Sequence, residues 1–395
     1  MNTKKPKSDL VALRAELAEL DRRLLELVAE RQETATRIGR REQDLGEGTR
    51  NYAQEKEVME RARQISRSLM LPEALADELL SLLVRHSLTR QEQQRVVSHG
   101  GGDGRRVLVI GGAGKMGSWF VRFLDSQGFE VEIADPAGPV EGFPHLTDWR
   151  EASLDQDLIL VACPIRTASG ILQELLQRRP SGVILDIASL KSPLRRELFA
   201  LADAGLQVCS IHPMFGPDTE LLSGRHVIFI TLGGAEAHLE VRRLFEPTMA
   251  ELVEMDLEEH DRLIAYVLGL SHALNIAFVS VLAESGEAAP RLAGLSSTTF
   301  DAQLAVAASV ARDNPHLYFE IQSLNDYGSE SLGALLSAVE GLLSVVRAGD
   351  EEGFTALMQK GLEYLATRRS RHPLPQGSAR DGGGGAARAE GIKRT

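Results

Sequence analysis

A glycine-rich turn is the first segment whose residue types and spacing could do chemistry. Residues 106–117 read RVLVIGGAGKMG, an apolar run followed by the pattern GxGxxG at Gly112, Gly114 and Gly117. The first glycine permits a tight turn, the second lets the backbone approach a pyrophosphate, and the third lets a helix pack closely on a strand. Because the motif follows a predicted strand and opens a predicted helix, it predicts a dinucleotide-binding site.

An acidic residue stands where such a site needs one. Asp135 ends the apolar run VEIAD, 18 residues after Gly117, and we expect its carboxylate to accept hydrogen bonds from ribose hydroxyls. The same charge repels a 2′-phosphate, which favours NAD over NADP as cofactor. The residues predicted to contact the cofactor are Gly112, Gly114, Met116, Gly117, Asp135 and Pro164.

Three predicted loops lie beyond the carboxyl ends of strands, where nicotinamide chemistry takes place in such sheets. They cover residues 162–164, 186–191 and 211–217. In the third loop, His212 directly follows a strand and is followed by Pro213. The ordinary pKa of histidine lies near neutral pH, so His212 is a candidate general base. A histidine that only caps the turn is the alternative.

The elements that position these residues begin with helices. Residues 9–95 contain almost no helix breakers, and leucines recur at three- and four-residue steps from Leu10 to Leu27, the spacing of an amphipathic helix. A loop and two further helices are predicted at Gln43–Asn51, Tyr52–Ser68 and Pro72–Gln94. Three helices with one very long member form a poor monomeric core, so we expect a dimer that interleaves two such units.

The pattern then changes to short apolar runs. After a glycine-rich linker at Ser98–Arg106, expected strands lie at 106–110, 131–135, 158–163, 183–188, 208–212 and 227–231. Helical segments separate the earlier ones, which implies a parallel sheet covered by helices on both faces, the Rossmann type of α/β fold. From about Glu259 the pattern is helical again, and the glycine-rich end of the chain is predicted to be disordered.

Together these patterns predict a multidomain fold. The expected parts are an all-α N-terminal domain at 9–95, an α/β Rossmann domain at 105–258, an all-α C-terminal domain at 259–372 and a disordered tail at 373–395. The C-terminal helices include a segment that is apolar nearly all round, as a helix buried between subunits or domains is. We therefore expect the C-terminal domain to serve dimerisation.

Composition excludes several classes of protein. The 395 residues are 43% hydrophobic and 25% charged, with a formal net charge of −12, which is typical of folded domains and argues against a nucleic-acid surface. The two cysteines, Cys163 and Cys209, offer neither a CxxC metal motif nor a disulfide framework. No secretory signal and no run of about 18 uncharged apolar residues is visible. We expect a cytoplasmic protein that binds no metal, nucleic acid or membrane.

Three motifs together resemble a known family. HPMFGP at 212–217, GGAGKMG at 111–117 and DIASLK at 186–191 look like those of prephenate dehydrogenase. The N-terminal helices are similar to the all-helical chorismate mutases, and the order of the two resembles the bifunctional enzymes of tyrosine biosynthesis. The resemblance covers about residues 9–370. It implies that prephenate transfers a hydride to NAD⁺ and loses carbon dioxide, giving 4-hydroxyphenylpyruvate.

The resemblance also implies roles for individual residues. His212 matches the family's catalytic histidine, which takes the hydroxyl proton, and Ser189 matches a residue that hydrogen-bonds near that hydroxyl. Lys191 is expected to bind an anion or to be a solvated surface lysine. His272 matches a histidine on the substrate side, with a buried structural histidine as the alternative, and His260 is interpreted as structural.

Two family arginines are absent from the substrate side. The positions that match them hold Asp301, in SSTTFD, and Ser309, six residues before Pro315. Prephenate has two carboxylates, and a charge-assisted hydrogen bond to one of them contributes about 1.5–3 kcal/mol. Arg312 lies about one turn beyond Ser309 and is predicted to bind the carboxylate instead. The alternative is a different substrate, arogenate or 4-amino-4-deoxyprephenate.

The mutase-like domain shows a similar mixture of matches and departures. The residues that match the mutase site are Arg14, Arg31, Lys56, Glu57, Ser87 and Gln91, with Lys56 in the place of a usual arginine. Chorismate mutase orients a flexible dianion and stabilises charge on its ether oxygen. The lysine expected near that oxygen is Glu42, while the adjacent Arg40 and Arg41 are expected to point elsewhere. The domain is therefore either a weak mutase or a non-catalytic module for dimerisation or ligand sensing.

Overall fold

The computed structural model describes residues 5–45 and 50–368. Three helices come first: α1 (Lys5–Asp44), α2 (Tyr52–Ser68) and α3 (Glu73–Ser98). Helix α2 has the predicted ends, because the side chain of Asn51 accepts a hydrogen bond from the backbone of Gln54 and caps its first turn. Part of the predicted loop at Gln43–Asn51 and the whole predicted tail at 373–395 lie outside the described residues.

A central sheet of eight strands follows. The strands are β1 (Arg106–Ile110), β2 (Glu130–Ala134), β3 (His145–Leu146), β4 (Leu158–Val161), β5 (Val183–Asp186), β6 (Val208–Pro213), β7 (His226–Ile230) and β8 (Glu251–Met255). Their order across the sheet is 3-2-1-4-5-6-7-8. Strands β1 and β4 are adjacent and parallel, and the order of the strands along the chain reverses between them. The loops that follow these two strands therefore lie side by side at the carboxyl edge of the sheet.

Helices cover both faces of this sheet, as predicted. On one face α4 (Lys115–Ser126) and α7 (Ala235–Phe245) bury large side chains such as Phe120 and Phe245. On the other face α5 (Ile165–Arg178) and α6 (Arg195–Asp203) bury side chains such as Leu172 and Leu198. The sheet is therefore enclosed between two apolar layers, and its carboxyl edge carries the polar residues.

The prediction of an all-parallel sheet is wrong at one place. Strand β7 runs antiparallel to β6, because residues 214–225 connect them without a helix and a parallel pair needs a crossover. Two strands were not predicted. Strand β3 is only two residues long, and β8 is a half-buried edge strand whose sequence ELVEM has no continuous apolar run.

The glycine-rich segment after α3 is packed rather than a free linker, which corrects the prediction made for Ser98–Arg106. The backbone N–H of Gly102 donates to the carbonyl of Gln127 at 3.0 Å. A Cβ atom on Gly100 would lie 2.5 Å from the Cα of Gln127, and one on Gly102 would lie 2.4 Å from the carbonyl carbon of Gly128. These glycines allow two backbones to touch, so α3 is joined rigidly to the sheet domain.

The chain ends in helices. Helix α8 (Leu257–Ile264) passes through a π-helical turn at Ala265–Leu270 into α9 (Ser271–Glu284). The remaining helices are α10 (Ala289–Gly294), α11 (Thr298–Arg312), α12 (Pro315–Leu324), α13 (Gly328–Ala348) and α14 (Glu351–Arg368). The described residues up to Ser331 form one compact unit, and those from Leu332 form a second. The predicted boundaries near 95–105 and 258–259 fall inside the first unit and stay predictions.

Two of these helical stretches, Leu257–Glu284 and Gly328–Ala348, are long and apolar enough by length and composition to cross a membrane. The prediction that no run of about 18 uncharged residues exists is wrong for the first stretch, because residues 263–283 contain no Asp, Glu, Lys or Arg; the second is interrupted by Glu330, Glu340 and Arg347. This evidence for a membrane span is weak, since the core helix of a soluble protein passes the same test.

Candidate functional site

The glycine-rich turn has the geometry that a dinucleotide requires. Gly111 has φ +88°, a conformation that favours glycine, and a Cβ atom on Gly117 would lie 2.0 Å from the Gly111 carbonyl oxygen. A Cβ atom on Gly112 would lie 2.6 Å from the side chain of Ile133. Gly114 stands directly before α4 as its N-cap residue. The bare backbone of this turn, with a helix N-terminus behind it, fits a pyrophosphate.

Asp135 lies beside this turn. Its carboxylate accepts hydrogen bonds from the backbone N–H groups of Ala113 at 3.0 Å and Ala137 at 2.8 Å, and the residue is 7% exposed. A carboxylate has about four acceptor positions, so it retains capacity for ribose hydroxyls. Asp135 therefore orients the glycine-rich turn and carries the negative charge at the position predicted from the sequence. Pro164 is the N-cap residue of α5, after β4 at the same edge.

His212 lies at the end of β6 and is joined to two residues that the sequence did not single out as functional. Its Nδ1 lies 2.9 Å from Nε2 of His260, and Nδ1 of His260 lies 2.6 Å from Oδ1 of Asp261. All three side chains are buried. His260, which was interpreted as structural, contacts the candidate base directly and therefore can orient it. The EEHD motif was visible in the sequence, but its proximity to His212 arises only when α8 packs beside β6.

The hydrogen bonds assign the protons in this row. Asp261 accepts, so Nδ1 of His260 carries a hydrogen and its Nε2 accepts one from Nδ1 of His212. The Nε2 atom of His212 then has a free lone pair. Burial lowers the pKa of His212 well below its usual value, and the neighbouring His260 and Lys191 lower it further. His212 is therefore neutral at neutral pH and competent as a base.

Asp261 is fixed from several sides. It accepts hydrogen bonds from the backbone N–H groups of Lys191 and Ser192, and its own carbonyl accepts one from the side chain of Asn325. Burial would raise the pKa of Asp261, but the hydrogen bonds of His260 and Ser192 outweigh it, and the pKa is lowered. The residue is thus a buried carboxylate that orients His260. Ser189 lies half-buried in the same loop, two residues before Lys191.

Lys191 does not have the predicted environment. Its side chain is fully buried, and Nζ lies 2.6 Å from Asp186 and 2.8 Å from the carbonyl of Ile211. Ser210 donates to the same carboxylate at 2.7 Å. Both the solvated surface lysine and the substrate-anion contact are therefore wrong for this residue. Its ammonium group instead neutralises Asp186 beneath the loop and holds the end of β6, next to His212.

His272 belongs to a second polar cluster that joins the C-terminal helices to the glycine-rich turn. Its ring stacks on Tyr318 with the centroids 4.1 Å apart. The Tyr318 hydroxyl donates to Asp313, which also pairs with Lys115 at 3.4 Å. Nδ1 of His272 is buried and has no partner among the described residues, and burial lowers the pKa of this histidine. An unpaired buried nitrogen is costly, so it is available for a ligand.

Arg312 ends α11, beside Asp313. It is exposed, and no ion pair of its guanidinium is found within residues 5–45 and 50–368. Its guanidinium is therefore available to a ligand, and the predicted contact with a substrate carboxylate stays a prediction. A second cation was not predicted. Arg166 lies in the first turn of α5, 3.8 Å from Glu320, and its side chain is 62% exposed. Glu320 also accepts from the backbone of Ile165, which ties α12 to the loop after β4.

The mutase-like helices bring only some of the predicted residues together. Arg31 donates to Ser87 at 3.1 Å and to the carbonyl of Leu83 at 3.3 Å. Ser87 in turn donates to Gln32 at 2.8 Å, and Gln91 donates to the carbonyl of Ala35 at 2.8 Å. These residues lie where α1 and α3 pack. Arg14, Lys56 and Glu57 are exposed, and Glu57 pairs with Arg61.

Glu42 does face the side of α1 that meets Gln91. It lines a cavity of about 20 Å³ together with Gly39, Arg40, Gln91 and Arg95. Arg40 borders the same cavity and is exposed, so the expectation that its side chain points elsewhere stays a prediction. A volume of that size is enough to hold about one water molecule.

Family models match three successive parts of the chain. Chorismate mutase type II matches residues 13–92, the nucleotide-binding domain of prephenate dehydrogenase matches 143–254, and its dimerization domain matches 256–360. The second match begins after the glycine-rich turn, so the geometry of that turn is independent support for nucleotide binding. The order of the three matches agrees with the predicted order of domains.

Relatives agree with these matches. A T-protein of Enterobacter agglomerans is 23% identical over 92% of this chain and 95% of its own length. A 4-amino-4-deoxyprephenate dehydrogenase of Streptomyces pristinaespiralis is 31% identical over 64% of this chain and 88% of its own. The solved structure of a prephenate dehydrogenase from A. aeolicus, in complex with hydroxyphenyl propionate and NAD⁺, shares the fold. Its TM-score is 0.51 at 19% identity, over 67% of this chain and 98% of that one.

The motifs at the carboxyl edge, the bare glycine turn and the matched domains agree with one another. The cofactor that fits this turn is a nicotinamide dinucleotide. The protein belongs to the prephenate dehydrogenase family and carries a chorismate mutase type II domain at the N-terminal side of its dehydrogenase domains.

Proposed function

We propose that the protein is an NAD-dependent prephenate dehydrogenase fused to a chorismate mutase domain, acting in tyrosine biosynthesis. Nε2 of His212 takes the proton of the substrate's ring hydroxyl as the carbinol carbon gives up its hydride. The glycine-rich turn and Asp135 would hold a nicotinamide dinucleotide, which would supply the acceptor for that hydride. The carbon–carbon bond to the ring carboxylate then breaks and carbon dioxide leaves. The electrons of that bond complete the aromatic ring and pass charge to the ring oxygen, which takes the proton back from His212 and gives 4-hydroxyphenylpyruvate.

The observation that carries this proposal is the row His212–His260–Asp261. His212 is fixed by its Nδ1 contact at 2.9 Å, and its other nitrogen is the only ring atom left to accept a proton. When His212 becomes cationic, the nearby Asp261 carboxylate stabilises the charge through His260. Ser189, in the adjacent loop, is proposed to orient the substrate hydroxyl, and His272 to contact the substrate from α9.

NAD, rather than NADP, is the proposed cofactor. Asp135 is held as a carboxylate beside the glycine-rich turn by two backbone N–H groups. An adenosine 2′-phosphate placed there would bring its negative charge against this group, and the site's low exposure weakens solvent screening of that repulsion. Met116, in the first turn of α4, and Pro164, before α5, lie in the elements that border the turn.

A second substrate, 4-amino-4-deoxyprephenate, is favoured by one observation. The positions of two family arginines hold Asp301 and Ser309, and Asp301 is exposed and bonded to Ser296. A site with fewer positive charges suits a substrate that itself carries an ammonium group. The relative from Streptomyces pristinaespiralis, which bears that substrate in its name, is also more similar in its matched part than the T-protein is.

The test is a direct assay of the purified full chain. Prephenate, arogenate and 4-amino-4-deoxyprephenate are each supplied with NAD⁺ or NADP⁺, and the reduced cofactor is followed by absorbance. We expect kcat/KM to be highest with prephenate and NAD⁺. The His212→Asn variant is the control for chemistry at this site. Turnover of the amino compound alone would establish the second candidate, and equal kcat/KM with NADP⁺ would contradict the role of Asp135.

Assembly and location are also proposed. The matched dimerization domain and the exposed leucines of α1 support a homodimer, with prephenate and chorismate as small-molecule partners. A cytoplasmic location, without a nucleic-acid or membrane partner, follows from the composition. The mutase activity of the helical domain is proposed to be weak, because Glu42 faces Gln91 in the position that calls for a cation.

A further inference from the structure

A buried carboxylate of the mutase-like domain reaches into the dehydrogenase domain. Glu92 lies on α3 and is only 3% exposed. One of its oxygens accepts a hydrogen bond from the backbone N–H of Leu222 at 2.8 Å, and the other accepts one from the backbone N–H of Met249 at 2.9 Å. None of the six residues that match the mutase site makes these contacts, so this contact between the domains is separate from the predicted mutase site.

The segment that Glu92 holds continues directly from the proposed base. His212 is near the end of β6, and residues 214–225, here called the connecting segment, lead from β6 to β7 with Leu222 inside them. Met249 precedes the neighbouring β8. Without a helix of its own, the connecting segment depends on outside contacts for its conformation. Glu92 therefore fixes both the connecting segment and the approach to β8 with one side chain.

Other contacts show that α3 is part of the same packed body. Val96, one turn further along α3, is 6% exposed and belongs to the apolar layer on one face of the sheet. Arg50, before α2, donates to Ser223 in the connecting segment. From the sheet side, Trp119 donates to the carbonyl of Thr219 at 2.9 Å. The connecting segment is thus held between the mutase-like helices and α4, whose first turn borders the cofactor turn.

We propose that Glu92 is a positioning residue of the dehydrogenase site: it holds the connecting segment, and through it the end of β6 with His212, in the conformation that the reaction requires. This gives the mutase-like domain a function that does not depend on its own catalysis. The statement about His212 rests on the proposed function, whereas the statement about the connecting segment does not.

The chemistry of the contact defines the variant. An ionised carboxylate offers an acceptor on both oxygens, which matches two N–H donors. In Glu92→Gln one oxygen is replaced by an NH₂ group, which would face a backbone N–H and leave that buried donor unpaired. The size and shape of the side chain stay the same. The matched control is Glu78→Gln, an exposed glutamate on the same helix.

The experiment has two readouts on the full chain. Hydrogen–deuterium exchange should show faster exchange in residues 214–225 of Glu92→Gln than of the native chain or Glu78→Gln, with the helices of the opposite face unchanged. With the substrate that the native chain oxidises, kcat should fall about tenfold or more at a temperature well below the unfolding midpoint, because a small misplacement of a catalytic group has effects of that size. NAD⁺ affinity, measured by fluorescence titration, should stay within about twofold.

Two results would overturn the proposal. The first is a folded Glu92→Gln variant whose residues 214–225 exchange hydrogen as slowly as in the native chain. The second is a kcat of Glu92→Gln equal to that of Glu78→Gln. If Glu92→Gln does not fold, Arg50→Ala replaces it. That variant removes the Ser223 contact together with the Arg50–Glu55 ion pair and the contact with the Tyr52 ring, both local to the start of α2. It should give a smaller change in the same direction in both readouts, while no change would contradict the proposal. If the native chain oxidises none of the three substrates, the proposed function fails, and the exchange experiment still decides the role of Glu92.

Discussion

At the scale of single residues, the environment of His212 predicts an unusual pH dependence. Burial lowers the pKa of His212 well below its usual 6.5, so the neutral, proton-accepting form persists as the pH falls through 6.5. We expect kcat/KM to be flat from neutral pH to below that value and to decline only in more acidic buffer. The measurement is kcat/KM against pH with NAD⁺ saturating. An acid limb at or above 6.5 would show that His212 is solvated or is not the base.

A second prediction at this scale concerns the proton order in the row. In Asp261→Asn the amide NH₂ can face Nδ1 of His260, which reverses the tautomer of His260 and then that of His212. The proton would then sit on Nε2 of His212 and block the base. We expect kcat to fall about 10²–10⁴-fold with little change in KM. Glu258→Gln on the solvent side of α8, which pairs with Arg195, is the control. A normal kcat in Asp261→Asn would exclude the role of this row.

The third prediction concerns the mutase-like domain. The transition state gathers negative charge on the ether oxygen, and one preorganised donor there contributes about 2.7–4 kcal/mol. Glu42 presents a carboxylate instead. We expect slow chorismate consumption by the full chain and at least about a tenfold increase in Glu42→Lys, since 1.4 kcal/mol is a factor of ten. Fast native turnover would show that Arg40, which borders the same cavity, supplies the cation.

At the scale of elements, the turn between α11 and α12 carries the predicted substrate cation. Arg312 is exposed beside Asp313, whose carboxylate is already engaged by Lys115 and Tyr318, so the arginine is left for a ligand. We expect Arg312→Ala to raise KM for the keto acid about tenfold or more. Arg291→Ala, at an exposed arginine of α10 that pairs with Glu287, should leave KM unchanged. An unaffected KM in Arg312→Ala would direct attention to Arg166 in α5.

The elements also show what local sequence could and could not predict. Helix α2 and the six strands β1, β2 and β4 to β7 were predictable because caps, apolar runs and glycine turns are local signals. The direction of β7 was not, because it depends on the absence of a helix in residues 214–225. The contact of His260 with His212 and the burial of Lys191 against Asp186 were not predicted, for one reason. Both roles come from contacts between α8, β6 and the loop after β5, which are distant in sequence.

At the scale of the whole molecule, the domains depend on one another more than the glycine-rich sequence between them indicates. Glycine in a linker usually serves flexibility. Here Gly100 and Gly102 serve close packing of the backbone on residues 127–128. Composition is the same in both cases, so only the three-dimensional structure distinguishes them. The chorismate assay above is for this reason designed on the full chain and not on the isolated helices.

The last prediction concerns a second copy of the chain. The leucine stripe of α1 is not covered: Leu13, Leu17 and Leu20 are 61%, 58% and 51% exposed. A contiguous apolar stripe of this kind marks an interaction surface. Arg14 and Arg31 are 17 residues apart on the same helix, or about 25 Å at 1.5 Å per residue. One chain therefore cannot place both arginines on one small dianion, whereas two interleaved helices can.

We expect the native chain to have twice the mass of the 43.1 kDa protomer in analytical ultracentrifugation. The double variant Leu17→Glu/Leu20→Glu would bury unpaired carboxylates in the interface, which is strongly unfavourable. Its dimer dissociation constant should rise at least about tenfold, equivalent to 1.4 kcal/mol. Leu45→Glu, at an exposed leucine beyond the end of α1, is the control and should behave as the native chain does. A native monomer, or a double variant with native affinity, would mean that the stripe of α1 does not bind a second copy, and that Arg14 and Arg31 do not share a mutase site.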